Sequence, residues 1–577
     1  GTLTLQDQLY GRDLPLLGAA VGRPVRVTLL KGRGNYLCRH RLETAQRGRL
    51  RDPALLKQLL PVAAWATTTA TGDLNEIADF SPDHASRPWL TSTADNCLGS
   101  HCEFFDACFV LEARRRAQRA EVVIVNHHLL VADLALKEAG FGELLPGAQA
   151  VIVDEAHQLP EIAQQFFGVS VGSRELESLA RDILAESQAA GVAGDLQRLS
   201  DRLARSAASA RVQPGQVSGR ARWSACPPQC QAALSDWARL LRRLKAALEP
   251  ARQINPGLQR CAERCQDGIE RLDALESTAR DGLRWVEFAP RSFTAHWSPL
   301  DVGAQLGARI KAHGATWVFT SATLAVGRAF DHFLQRVGVT DARTRVLPSP
   351  FDYRQNARLY LPAGLPAPAH ADYVAALLAS TWPLIEAAGG GAFLLFTSYR
   401  ALNEAHEWIE HRDRPGPLLV QGARPRTELL RRFRQTGDAV LLGTSSFWQG
   451  VDVRGPALRL IVIDKLPFAP PGDPLIEARL ESIRQDGGDP FGDFQLPQAV
   501  LALKQGVGRL IRDFSDRGLL ILGDPRLRTR GYGQTFLHSL PPMPILDDHE
   551  AALEFAGTLC AGETASIHRE RREPAGL

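Results

Sequence analysis

Short β-branched apolar runs, each ending in polar residues and followed by a helix-sized segment, recur along this chain and constrain its fold more than any other feature. They fall at 121–131 (EVVIVNHHLLV), 148–153 (AQAVIV), 316–321 (TWVFTS), 392–398 (AFLLFTS), 438–444 (DAVLLGT), 458–464 (LRLIVID) and 518–523 (GLLILG). A run that is apolar on both faces suits a buried strand, and intervening helices supply the crossovers that parallel strands need. The pattern predicts an α/β fold with the parallel-sheet architecture in two copies. The boundary between the copies falls within 325–350, where we place it at 340/341.

Two segments break this rhythm. Residues 31–120 are rich in Arg, Cys and aromatics, and residues 168–285 carry Leu, Ala, Arg and Glu at helical spacing around a Pro/Gly stretch at 211–219. The first reads as a ligand-stapled insertion and the second as a helical one, both inside the first α/β unit. That unit is then assembled from 1–30, 121–167 and 286–340, and the second spans 341–577. No stretch reaches the roughly 18 to 20 consecutive apolar residues of a membrane span. The amino terminus has no secretion-signal character, so a cytoplasmic, monomeric protein is expected. With a net charge of +3, nucleic-acid binding must come from local grooves rather than from bulk charge.

The sharpest chemical signal is Val151-Ile152-Val153 running into Asp154-Glu155-Ala156-His157. At the carboxyl end of a parallel strand one acid can hold Mg²⁺ while the next orients and deprotonates water; acids in that position also cap helices. Ser321 and Thr323 end another strand and could couple a nucleotide site to a second ligand. Gly450 and Asp452, within LGTSSFWQGVD, suit phosphate or backbone contact. Gln505, Gly508, Arg509 and Arg512 lie in QGVGRLIR. Read as a helix, this places the two arginines on one face, where they can clamp a γ-phosphate. Cys38, Cys97, Cys102 and Cys108 fit metal or cluster ligation better than disulfides, and spacing alone leaves Zn²⁺ and iron-sulfur open. Basic residues around them, Arg33 and Arg39 included, with Tyr36 interleaved, suit a groove that tracks phosphates and stacks bases, and the aromatics suit equally well a packing role beside the group the cysteines hold. Cys226, Cys230, Cys261 and Cys265 read as unpaired thiols.

In order and approximate spacing, DEAH at 154–157, SAT at 321–323, GTSSFWQGVD at 443–452 and QGVGRLIR at 505–512 resemble motifs II, III, V and VI of superfamily 2 helicases. With KGRGNYLC at 31–38, VNHHLL at 125–130 and FTSYRAL at 396–402, nearly the whole chain resembles the XPD-like iron-sulfur branch, DinG/YoaA group. That resemblance implies two RecA-like domains, with an Fe-S insertion and a helical arch in the first. It implies ATP-dependent, 5′ to 3′ translocation on single-stranded DNA and unwinding of forked DNA in repair or replication, with a repair or replication protein as a further partner. Asp154 would hold Mg²⁺, Glu155 would activate water, His157 would join them in the catalytic set, and Ser321, Thr323, Gln449, Gly450, Asp452, Gln505 and Gly508 would bind or couple ATP. Arg509 and Arg512 would act on the γ-phosphate, and the four cysteines would hold a 4Fe-4S cluster. Asn126, His127 and Trp448 join Arg33, Tyr36 and Arg39 as candidate DNA contacts.

The sequence departs from the family pattern in two places. None of the seven lysines follows a glycine, so the Gly-Lys-Ser/Thr phosphate loop is not in this sequence. The first residues resemble motif Ia, which follows that loop, and the only methionine is Met543. Truncation at the amino terminus is therefore expected, with weak or no ATP hydrolysis by this chain alone. Gln449 also stands where relatives commonly carry an acid. The rival expectations are a non-catalytic, redox-responsive nucleic-acid-binding protein and a fragment of a nuclease-helicase fusion.

Overall fold

The computed structural model describes Gln6, 9–47, 53–77, Phe80, His84, 86–138, 144–192, 194–210, 219–277, 282–289, 292–444, Phe447, Val453, 455–546 and 548–570. In the first α/β unit β1 (Val27–Leu29) pairs in parallel with β2 (Val122–Ile124). Between them lies the cysteine-bearing insertion, with α1 (Arg39–Arg47) and α2 (Phe109–Arg119); α3 (His127–Glu138) follows β2. The run at 121–131 thus yields a strand of three residues, because Asn126 caps α3 by accepting a hydrogen bond from Leu129 N–H at 2.8 Å.

Next comes β3 (Ala150–Asp154), which carries the acidic pair, and then the helical insertion. Its elements are β4 (Val169–Gly172), α4 (Ser173–Ala189), α5 (Gly194–Ser209), β5 (Gly219–Arg222), α6 (Pro228–Leu248), α7 (Pro256–Glu276), β6 (Leu283–Ala289) and β7 (Ser292–Ser298). The insertion is therefore not purely helical: an antiparallel sheet of order β4-β7-β6-β5 packs on the helices, with Trp237 and Phe293 fully buried between them. Polar residues in GRAR and SFTAHWS hide these strands from a search for apolar runs. Cys226, Cys230, Cys261 and Cys265 are buried in this core as free thiols.

The chain re-enters the first unit at β8 (Thr316–Thr320), which pairs with β3 so that Asp154 lies opposite Thr320. Ile152 and Val318, also opposite each other, are exposed, since among the described residues nothing covers that face.

In the second unit β9 (Ala357–Tyr360), β10 (Ala392–Phe396), β11 (Leu418–Val420), β12 (Val440–Thr444), β13 (Leu460–Ile463), β14 (Gly518–Leu522) and β15 (Ile545–Leu546) form one parallel sheet of order β11-β12-β10-β13-β14-β9-β15. Every residue of β10, β12, β13 and β14 is buried, as continuous apolar runs require when helices cover both faces. Helices of this unit include α8 (Tyr399–Glu410), α9 (Pro474–Gln485) and α10 (Leu496–Val507).

Candidate functional site at the carboxyl ends of β3 and β8

Asp154 ends β3 and Glu155 follows in a left-handed conformation with φ of +50°, the one non-glycine residue with positive φ among the described residues. Such a backbone is disfavoured for a side chain of this size and persists where surrounding contacts fix it. Here Ser321 Oγ donates to Glu155 Oε2 at 2.7 Å, and Thr323 N–H donates to Ser321 Oγ at 3.1 Å. Burial, and then the charge of Glu155, raise the Asp154 carboxyl above its ordinary range. Two adjacent carboxylates at a strand end are an arrangement that a hard divalent cation offsets.

His157 connects this pair to the second unit. Its Nδ1 lies 3.0 Å from Ser321 Oγ and 3.1 Å from Thr323 Oγ1, and its Nε2 lies 2.8 Å from Gln505 Nε2 in α10. Burial lowers the His157 pKa, which favours the neutral ring. A neutral ring accepting from the Gln505 amide at Nε2 carries its proton on Nδ1. One polarity then satisfies every member: Gln505 donates to His157, His157 to Ser321, and Ser321 to Glu155. Motifs separated by 348 residues in sequence are in direct contact.

The helix expected to carry both arginines stops short of them. α10 ends at Val507 and Gly508 caps it, so Arg509 and Arg512 lie in the turns beyond and do not share a helical face. Arg512 N–H donates to Asp516 Oδ2 at 2.7 Å, which holds the turn. Trp448, Gln449, Gly450 and Asp452 lie outside the described residues.

Cys38, Cys97, Cys102 and Cys108 line one cavity of about 100 Å³, walled by Leu37, Val110, Phe104 and Phe105. Arg33 Nη1 donates to Cys97 Sγ at 2.8 Å, and burial raises the pKa of the Cys38 thiol. Among the described residues no three Cys, His, Asp or Glu converge as ligands of one metal ion. The thiols surround a volume rather than a point, whereas a single tetrahedral Zn²⁺ needs sulfurs about 2.3 Å from its centre. Four thiols around a mostly apolar chamber, with a guanidinium donating to one sulfur, suit a polynuclear cluster.

Several candidate DNA contacts are engaged elsewhere. Tyr36 is only 4% exposed, and its hydroxyl accepts from Lys31 N–H, so it is a core residue and not a stacking platform. His127 is also buried and sits 2.7 Å from the Asp154 carbonyl, and burial drives its pKa down to about 4; it braces the acidic strand. Asn126 caps α3, Arg33 bonds Cys97, and Arg39 donates to the Ala107 carbonyl while covering the Phe109 ring.

The two insertions meet through buried charge: Asp182 of α4 accepts from Arg41 of α1 and Arg264 of α7 at 2.9 and 2.7 Å. The helical insertion also touches the second unit, where Arg222 of β5 donates to Glu477 of α9 at 3.0 Å. Sequence reasoning named none of these joints.

Residues 381–543 match the helicase C-terminal domain family. The chain is 44% identical over 566 residues to the ATP-dependent DNA helicase YoaA of Escherichia coli K12, spanning 96% of this chain and 88% of that protein. It is 33% identical over 581 residues to the ATP-dependent helicase DinG of Mycobacterium tuberculosis H37Rv, spanning 94% and 84%. A solved XPD helicase has the same fold, with a TM-score of 0.54 at 13% identity over 94% of this chain and 90% of the other.

Proposed function

The chain belongs to the YoaA/DinG family of ATP-dependent helicases, and from that premise we propose how it works. It is an ATP-dependent DNA helicase with two RecA-like units, and ATP with Mg²⁺ acts at the carboxyl ends of β3 and β8. Asp154 holds Mg²⁺, Glu155 orients and deprotonates the attacking water, and His157, the third catalytic residue of this motif, positions Glu155 through Ser321. Arg509 and Arg512 approach the γ-phosphate from the second unit and stabilise the charge that develops there. The observation that carries this reading is the hydrogen-bonded chain Gln505–His157–Ser321–Glu155. It ties closure of the cleft between the units to the orientation of the base, so that hydrolysis and domain movement depend on each other.

Cys38, Cys97, Cys102 and Cys108 hold a 4Fe-4S cluster, which when bound staples the insertion together beside its own apolar core. Single-stranded DNA runs across both units in the 5′ to 3′ direction, and the two insertions separate the strands of a fork. The full-length protein tests this. It should hydrolyse ATP faster with single-stranded DNA present and unwind a duplex bearing a 5′ tail but not one bearing only a 3′ tail. Unwinding from the 3′ tail alone would reverse the polarity, and DNA-independent turnover without unwinding would remove the motor.

A further inference from the structure

The helical insertion has two anchors beyond its own core, and they differ in kind. On one side Asp182 is held by Arg41 and Arg264, and these side chains are only 12, 12 and 7% exposed. Parting such a group leaves a charge unpaired where water hardly reaches, so the joint to the Fe-S insertion is costly to open. On the other side β5 is the edge strand of the insertion's sheet, and α9 of the second unit lies against it.

The second contact follows the periods of its two elements. Arg220 and Arg222, two apart, share one face of β5; Asp473, which caps α9, and Glu477 and Glu481 follow at intervals of four as one acidic stripe. Arg220 Nη1 donates to Asp473 Oδ2 at 3.3 Å, Arg222 Nε to Glu477 Oε2 at 3.0 Å and Arg222 Nη2 to Glu481 Oε2 at 3.4 Å. Arg220 is also steadied from within the insertion, by Glu287 of β6 at 3.7 Å and by the Trp285 ring. Both acids that Arg222 meets belong to the second unit. Arg222, Glu477 and Glu481 are 36, 41 and 54% exposed, and ion pairs this exposed are weak and readily remade.

The same helix is tied to the motor. α9 packs on the π-helical turn Pro490–Gln495, which runs directly into α10, whose Gln505 meets His157. A movement of the second unit that alters the Gln505–His157 contact therefore carries the acidic stripe with it. The buried joint holds, and the exposed clasp takes up the movement.

We propose that Arg222 is a positioning residue for unwinding: through Glu477 and Glu481 it sets the helical insertion against the second unit, so that the strand-separating element follows the ATP cycle. The inference rests on the reading that the two insertions separate the strands, and it adds the residue that couples one of them to the motor. Arg222 takes no part in ATP hydrolysis itself, so its loss separates two activities that a folding defect would lower together.

The test compares ATP hydrolysis on single-stranded DNA with strand displacement from a forked duplex, both in the full-length protein. Arg222→Glu sets like charges against Glu477 and Glu481. It should lower displacement about tenfold, as attraction between exposed charges turns into repulsion, and leave ATP hydrolysis within about twofold of the wild type. Glu477→Arg with Glu481→Arg should show the same split. Combining all three substitutions restores opposite charges and should return displacement to within about threefold of the wild type. An unchanged thermal melt checks that the fold is intact, as expected for exposed side chains. Wild-type displacement by Arg222→Glu overturns the proposal, as does a parallel fall of both activities or a triple variant that recovers nothing. A wild type that hydrolyses ATP on single-stranded DNA but displaces no strand would instead remove the strand-separating reading on which it stands.

Discussion

Replacing Ser321 by Ala deletes one oxygen that holds the acidic pair and the second unit in a single chain. That oxygen donates to Glu155 at 2.7 Å and receives from His157 and from Thr323 N–H at 3.0 and 3.1 Å. A hydrogen bond to a charged group contributes about 1.5–3 kcal/mol and a neutral one about 1 kcal/mol. Losing the grip on Glu155 should therefore cost about 2 kcal/mol in the transition state, or about 30-fold in turnover. Gln505→Ala removes a neutral bond to His157 and should cost about fivefold. If the contacts form one chain, His157 is already loosened in Ser321→Ala, and removing Gln505 adds little. The double variant should then fall close to about 30-fold rather than to the product of about 150-fold. Steady-state ATP hydrolysis of the full-length protein with saturating single-stranded DNA measures all four corners of the cycle. A double variant at the product would show that Ser321 and Gln505 act independently, and the account of coupling through His157 would fail.

Cys102→Ser should lose iron and visible absorbance that the wild type retains at about four irons per chain, measured under anaerobic conditions; a variant with full iron content would exclude Cys102 as a ligand. Acid should destabilise the fold through three histidines, His127, His296 and His332, whose pKa values burial drives from 6.5 to about 4. Arg220 beside His296 and Arg336 beside His332 push the same way. The unfolded chain binds the extra protons, so stability is full above pH 6.5 and is lost as pH falls through the folded values near 4. The melting temperature should drop across that window, and a flat profile between pH 6.5 and 4 would contradict the burial.

What could be read from the sequence divides along physical lines. Strands β10, β12, β13 and β14 announce themselves because a strand buried on both faces cannot carry a polar residue without a partner. Asp154 and Glu155 stand out because two adjacent acids directly after an apolar run repel each other unless a cation or a helix N-terminus offsets them. The sheet β4-β7-β6-β5 stayed hidden because its strands alternate and one reads GRAR, which matches a loop as well as a strand. The face shared by Arg509 and Arg512 was misjudged because Gly506 and Gly508 were read through, although glycine at a helix end commonly marks its stop. Tyr36 looked like a base platform among its basic neighbours, yet an insertion of this size must spend its aromatics on its own core. The contact between His157 and Gln505, the joint at Asp182 and the clasp between Arg222 and α9 depend on how distant segments pack, and no local pattern encodes them.

The central claim is that Asp154 and Glu155 power DNA unwinding. Its most direct test is strand displacement from a forked duplex by the full-length protein, comparing wild type with Glu155→Gln. The wild type should displace the strand only with ATP and Mg²⁺. Glu155→Gln keeps the hydrogen-bonding shape but has no carboxylate to accept a proton; it should still bind ATP, lose about 10²-fold or more in turnover, and leave the fork intact. Displacement by Glu155→Gln at the wild-type rate would contradict the account.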